Sequence, residues 1–492
     1  MTHDRHFTSS ACTPYVIAYV ARTDEEWCGY DRLGPCRHGR RGGTCHAQSR
    51  LAHPAARHVD HVISYLDRVN IGFAATRMNA DLGLSTAAYG LGAGLFFIGY
   101  VLFEVPSNVI LHRVGARAWL ARIMVTWGLI SGAMAFVHSE AWFYVVRVLL
   151  GIAEAGFVPG VVYFLTLWFP SAIRARMVAL FIIAIPVAVV LGAPLSALLI
   201  EHGHGVLGLD GWRFMFLVEA LPAVLVGVIA FFALPNRISD AKWLTPLERS
   251  SLSGVLEDEG AAAAEHGASG VLGALRDWRI YAVAGIGFSV NMGGYALSFF
   301  LPQVIEGLGV QFGTRFSLGE VAALTAIPYA CAAIALWLVG RSSDRRQERH
   351  WHAAIPLLVG ALAVAVALYL PSTLAIMAAI SIAAAGSYCV LPVFWQLPPR
   401  FLTGAAAAAG MAVAGGLANV AGFVAPYMTG GLQNATGSYR PAMFVVAGIM
   451  IVGAVIALLL RRRPEFRRVP ASQVAASDDK APTSDIHPHP HH

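Results

Sequence analysis

Apolar stretches of about twenty residues recur through the whole middle of this chain, and they leave few folds open to it. At about 1.5 Å of rise per residue, each is long enough to cross a ~30 Å hydrocarbon core as a helix. They run over 88–111, 118–138, 142–169, 177–200, 214–234, 280–304, 319–340, 353–371, 373–395, 404–428 and 441–460. A weaker stretch covers 61–78, where Arg57, His58, Asp60 and His61 stand just ahead of Tyr65 in place of apolar residues. Alternating ten-residue strands, the mark of a membrane barrel, are absent. A length of 492 residues would by itself suggest about three soluble domains. With 57% apolar and 13% charged residues, the chain instead reads as an all-α membrane protein of twelve transmembrane helices, the first of them truncated.

Two short basic patterns sit at matching places six stretches apart. NVILHRVGARAW (108–119) closes the second apolar stretch and GRSSDRRQERHW (340–351) closes the eighth. Each is read as a turn led by Asn108 or Gly340, followed by an Arg and a basic cluster. The recurrence predicts two pseudo-symmetric six-helix halves. Arg113, Gly115 and Arg117 in one copy, and Gly340, Asp344 and Arg345 in the other, are the candidate gating loops. The expected organisation is an atypical segment at 1–60, a first half at 61–234, a linker at 235–279, a second half at 280–460 and a tail at 461–492.

The net charge of +6 follows membrane topology and gives no reason to expect nucleic-acid binding. Basic residues collect in every second connection, from Arg113 and Arg117 through Arg174, Arg176 and Arg341 to Arg461, Arg462 and Arg463. The positive-inside rule then puts both termini in the cytoplasm, which requires an even number of spans. Residues 1–60 are polar and rich in Arg, His and Gly; they are expected to be disordered, or to come from a wrong start or a frameshift. Cys12, Cys28, Cys36 and Cys45 match no zinc spacing, and Cys331 and Cys389 read as small packing residues. No metal or cofactor site is expected.

A charge at mid-bilayer costs on the order of 2.5–3.5 kcal/mol on insertion scales, so each one needs a reason. Arg147 and Glu154 stand seven residues apart in RVLLGIAEAG, on one face of the fourth span, with Gly151 between them leaving room for a helix or a ligand. A protonatable acid near a fixed cation suits proton-linked anion transport; alternatively, Arg147 ties helices together through backbone carbonyls or an acid. Asp67 and Arg68 form a second pair in the first span. Glu104 and Glu219 lie nearer span ends and read as structural. Tyr100, Asn291, Tyr295 and Asn419 are polar span positions able to bind hydroxyls or to bond between helices. There is no GxxxxGK[ST] loop, so transport driven by ATP is not expected.

The segments YLDRVNIGFAA (65–75), FFIGYVLFEVPSN (96–108), RVLLGIAEAGFVPG (147–160), LTLWFP (165–170), GWRFMFLVEALPAVL (211–225), DAKWLTPLER (240–249), LTAIPY (324–329) and AGGLANVAGFVAP (414–426) together resemble the anion:cation symporter family of the major facilitator superfamily. DAKWLTPLER is similar to the tartrate and phthalate branch in particular. The resemblance implies that Asp67 and Glu154 titrate protons, that Arg68 holds a substrate carboxylate, and that Arg147 couples the acids to it. It also implies that Tyr65 and Tyr100 line the cavity, with Asn419 on the opposite half. Where the family's first gating pattern carries an acid, this chain has His112, while Asp344 keeps the acid in the second copy.

These readings predict a monomeric carrier in a bacterial inner membrane. Its partners are protons, lipid and a small organic acid anion, with a tartrate-like hydroxy-dicarboxylate favoured and phthalate or a sugar acid as other candidates. A guanidinium suits such a ligand because its planar fork donates two parallel hydrogen bonds. The rival readings are a proton-linked efflux carrier for drugs or metabolites, and a membrane sensor that transports nothing. Nothing in the chain points to an enzyme.

Overall fold

In the computed structural model the described residues are 59–241, 244–265, 276–346, 348–398, 401–402 and 404–463, with side chains described from Asn70 onward except those of 171–176, 178–180, 248, 258–265 and 404–408. The expectations for residues 1–58 and for the tail from 464 lie outside them. Eleven described helices are long and apolar enough to cross a membrane. They are α2 (Thr86–Val114), α3 (Ala116–Phe136), α4 (Glu140–Trp168), α5 (Ser171–His202), α6 (Gly211–Ala233), α7 (Trp278–Gln311), α8 (Leu318–Arg346), α9 (His350–Ala367), α10 (Thr373–Trp395), α11 (Ala409–Thr436) and α12 (Arg440–Arg461). Ahead of them stands α1 (Val59–Leu82), whose 24 residues suffice in length but whose first turns carry Asp60, His61, Asp67 and Arg68. It packs on α5, α6 and α7 as the twelfth helix of the bundle.

The basic patterns fold differently from the turns expected of them. Asn108 and Gly340 are both helical, and α8 continues through Asp344 and Arg345 to Arg346. The turn between α2 and α3 falls later, at Gly115, whose φ of 95° favours a residue without a side chain. Arg117 then lies 5.1 Å over the Phe231 ring of α6, and His112 packs its ring 4.1 Å from that of Tyr163 on α4. In the second copy Asp344 pairs with Arg349 at 2.8 Å. Beside them Glu348 accepts the His350 and Trp351 backbone N–H groups at the start of α9. Burial would push the Glu348 carboxyl up, but these bonds and the neighbouring His352 and His350 hold it below its usual range.

Among the described residues, three of the spans are interrupted, α4 and α11 near their middles and α10 toward its end. The α4 span comprises Glu140–Glu154 and Phe157–Trp168, separated by Ala155 in extended backbone and Gly156 at φ 85°. Its counterpart six helices on, α10, breaks between Tyr388 and Leu391 ahead of Pro392. Between Asn419 and Ala421 the chain also interrupts α11. Breaks at this depth are tolerated only inside a bundle, where neighbouring helices and side chains satisfy the freed backbone groups.

The tightest contacts between halves gather on the side away from the linker. Tyr89 of α2 donates to the Phe299 carbonyl of α7 at 3.0 Å, with the Ile71 carbonyl of α1 at 3.4 Å. Thr76 of α1 donates to Glu306 of α7 at 3.3 Å. A Cβ on Gly72 would lie 2.8 Å from the Ser298 carbonyl. Gly90 of α2 and Gly430 of α11 cross so closely that a Cβ on either would overlap the other helix's backbone, at Pro426 and Thr86 respectively. On the linker side, Leu165, Trp168 and Phe169 at the end of α4 form a separate apolar cluster with Ala241, Leu244 and Leu252. The last belongs to the linker helix, Pro246–Glu265.

Candidate functional site

Arg147 enters the site from the first piece of α4. Its side chain is 2% exposed, with Nε donating to the Gly92 carbonyl at 3.2 Å and Nη2 to the Ala93 carbonyl at 3.1 Å. Its guanidinium also lies 5.0 Å over the Phe96 ring. These three partners belong to α2, so the guanidinium ties the two helices together at this point. Gly151, one turn on, admits the α2 backbone itself, since a Cβ there would overlap the Phe96 carbonyl. The room that the sequence leaves at Gly151 is therefore taken by a helix.

Glu154 is 1% exposed and is the last residue of that piece, immediately before the break at Ala155 and Gly156. Both charges of the seven-residue spacing are thus buried on one helix, and the acid stands where the backbone is least regular. Carboxylates at broken midspan helices suit ion-coupled carriage, because the freed peptide groups and the acid can share a cation or a proton. Asp67, Arg68 and Tyr65 lie on α1, but their side chains fall outside the described residues.

Of the remaining candidates, three are brought together and one is not. Asn291 of α7 donates to the Ala418 carbonyl at 3.0 Å and to Asn419 Oδ1 at 3.4 Å, both on α11 beside its break. One turn further along α7, the Tyr295 ring lies 4.7 Å from that of Phe97 on α2. Phe97 also sits 6.3 Å from Phe299 and against Gly422 of α11, so it wedges one half against the other. Tyr100 stands apart, 2% exposed, with its ring 6.0 Å from Phe96 beside the α2–α4 crossing.

Sequence reading did not foresee the polar tie around Glu219. This α6 carboxylate, 2% exposed, accepts from Asn70 of α1 at 2.9 Å and from Ser196 of α5 at 2.7 Å. Three polar residues on three helices share no spacing, so no pattern could have paired them. Among the described residues no cluster of His, Cys, Asp and Glu has the makings of a metal site.

The pattern of the Major Facilitator Superfamily matches residues 61–426. The chain belongs to that superfamily. It is accordingly an integral membrane protein and a secondary transporter of small molecules, not an enzyme. A relative from Agrobacterium vitis, described as a "Putative tartrate transporter", is 45% identical over 404 residues, covering 82% of this chain and 88% of its own. A "Quinolone resistance transporter" from Acinetobacter baumannii is 38% identical over 408 residues, covering 83% of this chain and 93% of its own. In fold, the transporter is similar to a bacterial homologue of the lysosomal transporter Spinster, with a TM-score of 0.69 at 18% identity, over 86% of this chain and 99% of that one.

Proposed function

We propose that the transporter carries a small organic acid anion into the cell together with protons, and that the anion is a tartrate-like hydroxy-dicarboxylate. The observation that carries this reading is the buried pair on α4, a guanidinium and a carboxylate two turns apart with the helix breaking directly after the acid. Similarity at 45% identity to a protein named for tartrate supports the choice of substrate class. By the positive-inside rule, this reading has the linker and both termini on the cytoplasmic side. In this reading the side where Tyr89, Gly90 and Gly430 make their close contacts faces outward.

In this reading the anion binds at mid-depth between the halves. Arg68 clamps a carboxylate, Asp67 and Glu154 take up protons, and Arg147 relates acid to ligand. Tyr65, Tyr100, Asn291, Tyr295 and Asn419 complete the walls. Rocking of one half against the other alternates access. Net inward movement of one positive charge would draw about 2.3 kcal/mol per 100 mV from the membrane potential.

The alternative is efflux, and the 38% identical relative named for quinolone resistance is what favours it. Glu154→Gln separates proton coupling from simple carriage, because it keeps the side-chain shape and removes the titrating group. Reconstituted Glu154→Gln protein is expected to exchange labelled tartrate across the membrane while accumulating none against its gradient. Accumulation equal to wild type would remove Glu154 from the coupling mechanism.

A further inference from the structure

The Glu219 tie serves no step in the transport cycle just described, yet it is an acid buried within the membrane bundle. Both of its carboxylate oxygens accept, Oε1 from Ser196 Oγ at 2.7 Å and Oε2 from Asn70 Nδ2 at 2.9 Å. Asn70 is 1% exposed and Ser196 1% exposed. The three helices involved, α1, α5 and α6, belong to one six-helix half. A bond network confined to one half does not have to break when the halves rock, so it holds a fixed geometry through the cycle.

What it holds is α1. Its sequence is weakly apolar for a helix of the bundle, and its first turns carry Asp60, His61, Asp67 and Arg68. Apolar packing therefore secures its second half, where Ile71, Phe73, Ala74, Ala75 and Met78 are buried. Rotation about its own axis is resisted by directional bonds. Asn70 to Glu219 is one such bond, and Trp212 Nε1 to Asp81 at 2.6 Å is another, near the far end of α1. Both reach α1 from α6. Asn70 stands three residues after Asp67 and two after Arg68, less than one helical turn. In the other half, hydroxyl groups meet on α7, with Ser298 between Tyr329 at 3.0 Å and Tyr388 at 3.2 Å. The Glu219 carboxylate offers one oxygen to the Asn70 amide and the other to the Ser196 hydroxyl, so one side chain meets both helices.

We infer that Glu219 is a positioning residue: through Asn70 and Ser196 it fixes the rotation of α1, and with it the direction in which Asp67 and Arg68 are presented. The inference rests on the proposed role of those two residues, but the brace itself can be observed without a substrate. Ala74 on α1 is fully buried. In a chain whose six natural cysteines are replaced by serine or alanine, Ala74→Cys therefore reports α1 rotation through maleimide labelling of the introduced thiol.

In proteoliposomes, Glu219→Gln keeps a carbonyl acceptor and can reverse the Ser196 bond. It should leave the KM for L-tartrate within about threefold of wild type and the labelling rate at position 74 unchanged. Glu219→Leu should raise that KM at least about tenfold with a smaller change in kcat, since a misdirected clamp loses ligand affinity before it loses turnover. The same variant should speed labelling of the introduced thiol about tenfold, because a helix free to rotate exposes its buried face more often. Should Glu219→Leu fail to fold, the Asn70→Ala, Ser196→Ala double variant removes the same two bonds and carries the same expectation. The brace is overturned if Glu219→Gln behaves like Glu219→Leu, because charge and not geometry would then matter. It is equally overturned if the bond-deleting variants label the introduced thiol at the rate seen with Glu219 intact. If wild type takes up no tartrate, the transport reading fails, and the labelling rates alone decide the brace.

Discussion

Gly90→Val is expected to stop transport with little loss of stability, whereas the same change at Gly151 is expected to destabilise the fold. Both glycines lie at helix crossings so close that a Cβ overlaps a facing backbone atom. The difference is which helices cross. Gly90 on α2 meets Pro426 and Gly430 on α11, across the boundary between halves, a contact that in the proposed cycle opens with the outward side. Overpacking typically costs about 1–3 kcal/mol, roughly a five- to 150-fold shift in a two-state equilibrium. The variant should therefore dwell in the outward-open state. Uptake should fall at least about tenfold, while cysteines placed along the α2–α11 seam become accessible from outside. Gly151 on α4 meets Phe96 on α2 within one half, and no step of a rocking cycle relieves the overlap. Its penalty falls on folding, as a melting temperature lowered by several degrees in detergent. If both variants lost stability alike, the α2–α11 seam would not be a moving boundary.

Arg147→Lys should cost nearly as much transport, for a different reason. The guanidinium places two N–H groups on consecutive α2 carbonyls and a flat cation over Phe96. An ammonium keeps the charge and loses that two-point geometry. Hydrogen bonds between membrane helices average about 0.6 kcal/mol, so the variant should still fold. Uptake is expected to drop at least about tenfold, with tartrate binding held within about threefold, because the charge remains while its direction is lost. A variant that bound poorly yet transported in proportion would instead make Arg147 a direct ligand for the substrate.

Most of the fold was legible because apolar length is a one-dimensional property. Eleven helices fall where the apolar runs fall. Helix breaks were less visible, since the Ala155–Gly156 step differs little in sequence from Gly151 and Ile152, which stay helical. A glycine inside an apolar run marks either a close crossing or a break, and only the packing partner decides which. The α4 charges could be assigned to one helix face by their spacing. That Arg147 directs donors at Gly92 and Ala93 could not be known, because the choice between a backbone tie and a ligand clamp depends on how closely α2 approaches. The Asn291–Asn419 bond and the Glu219 brace join helices distant in the chain, and no local signal encodes them.

Proton-driven inward movement of an organic acid anion can be measured directly. The direct test places purified protein in liposomes, acidifies the outside, and follows uptake of labelled tartrate, phthalate and galactonate. Tartrate should accumulate above its equilibrium level, and a protonophore should abolish the accumulation. Failure of all three acids to accumulate under that gradient would contradict proton-driven uptake.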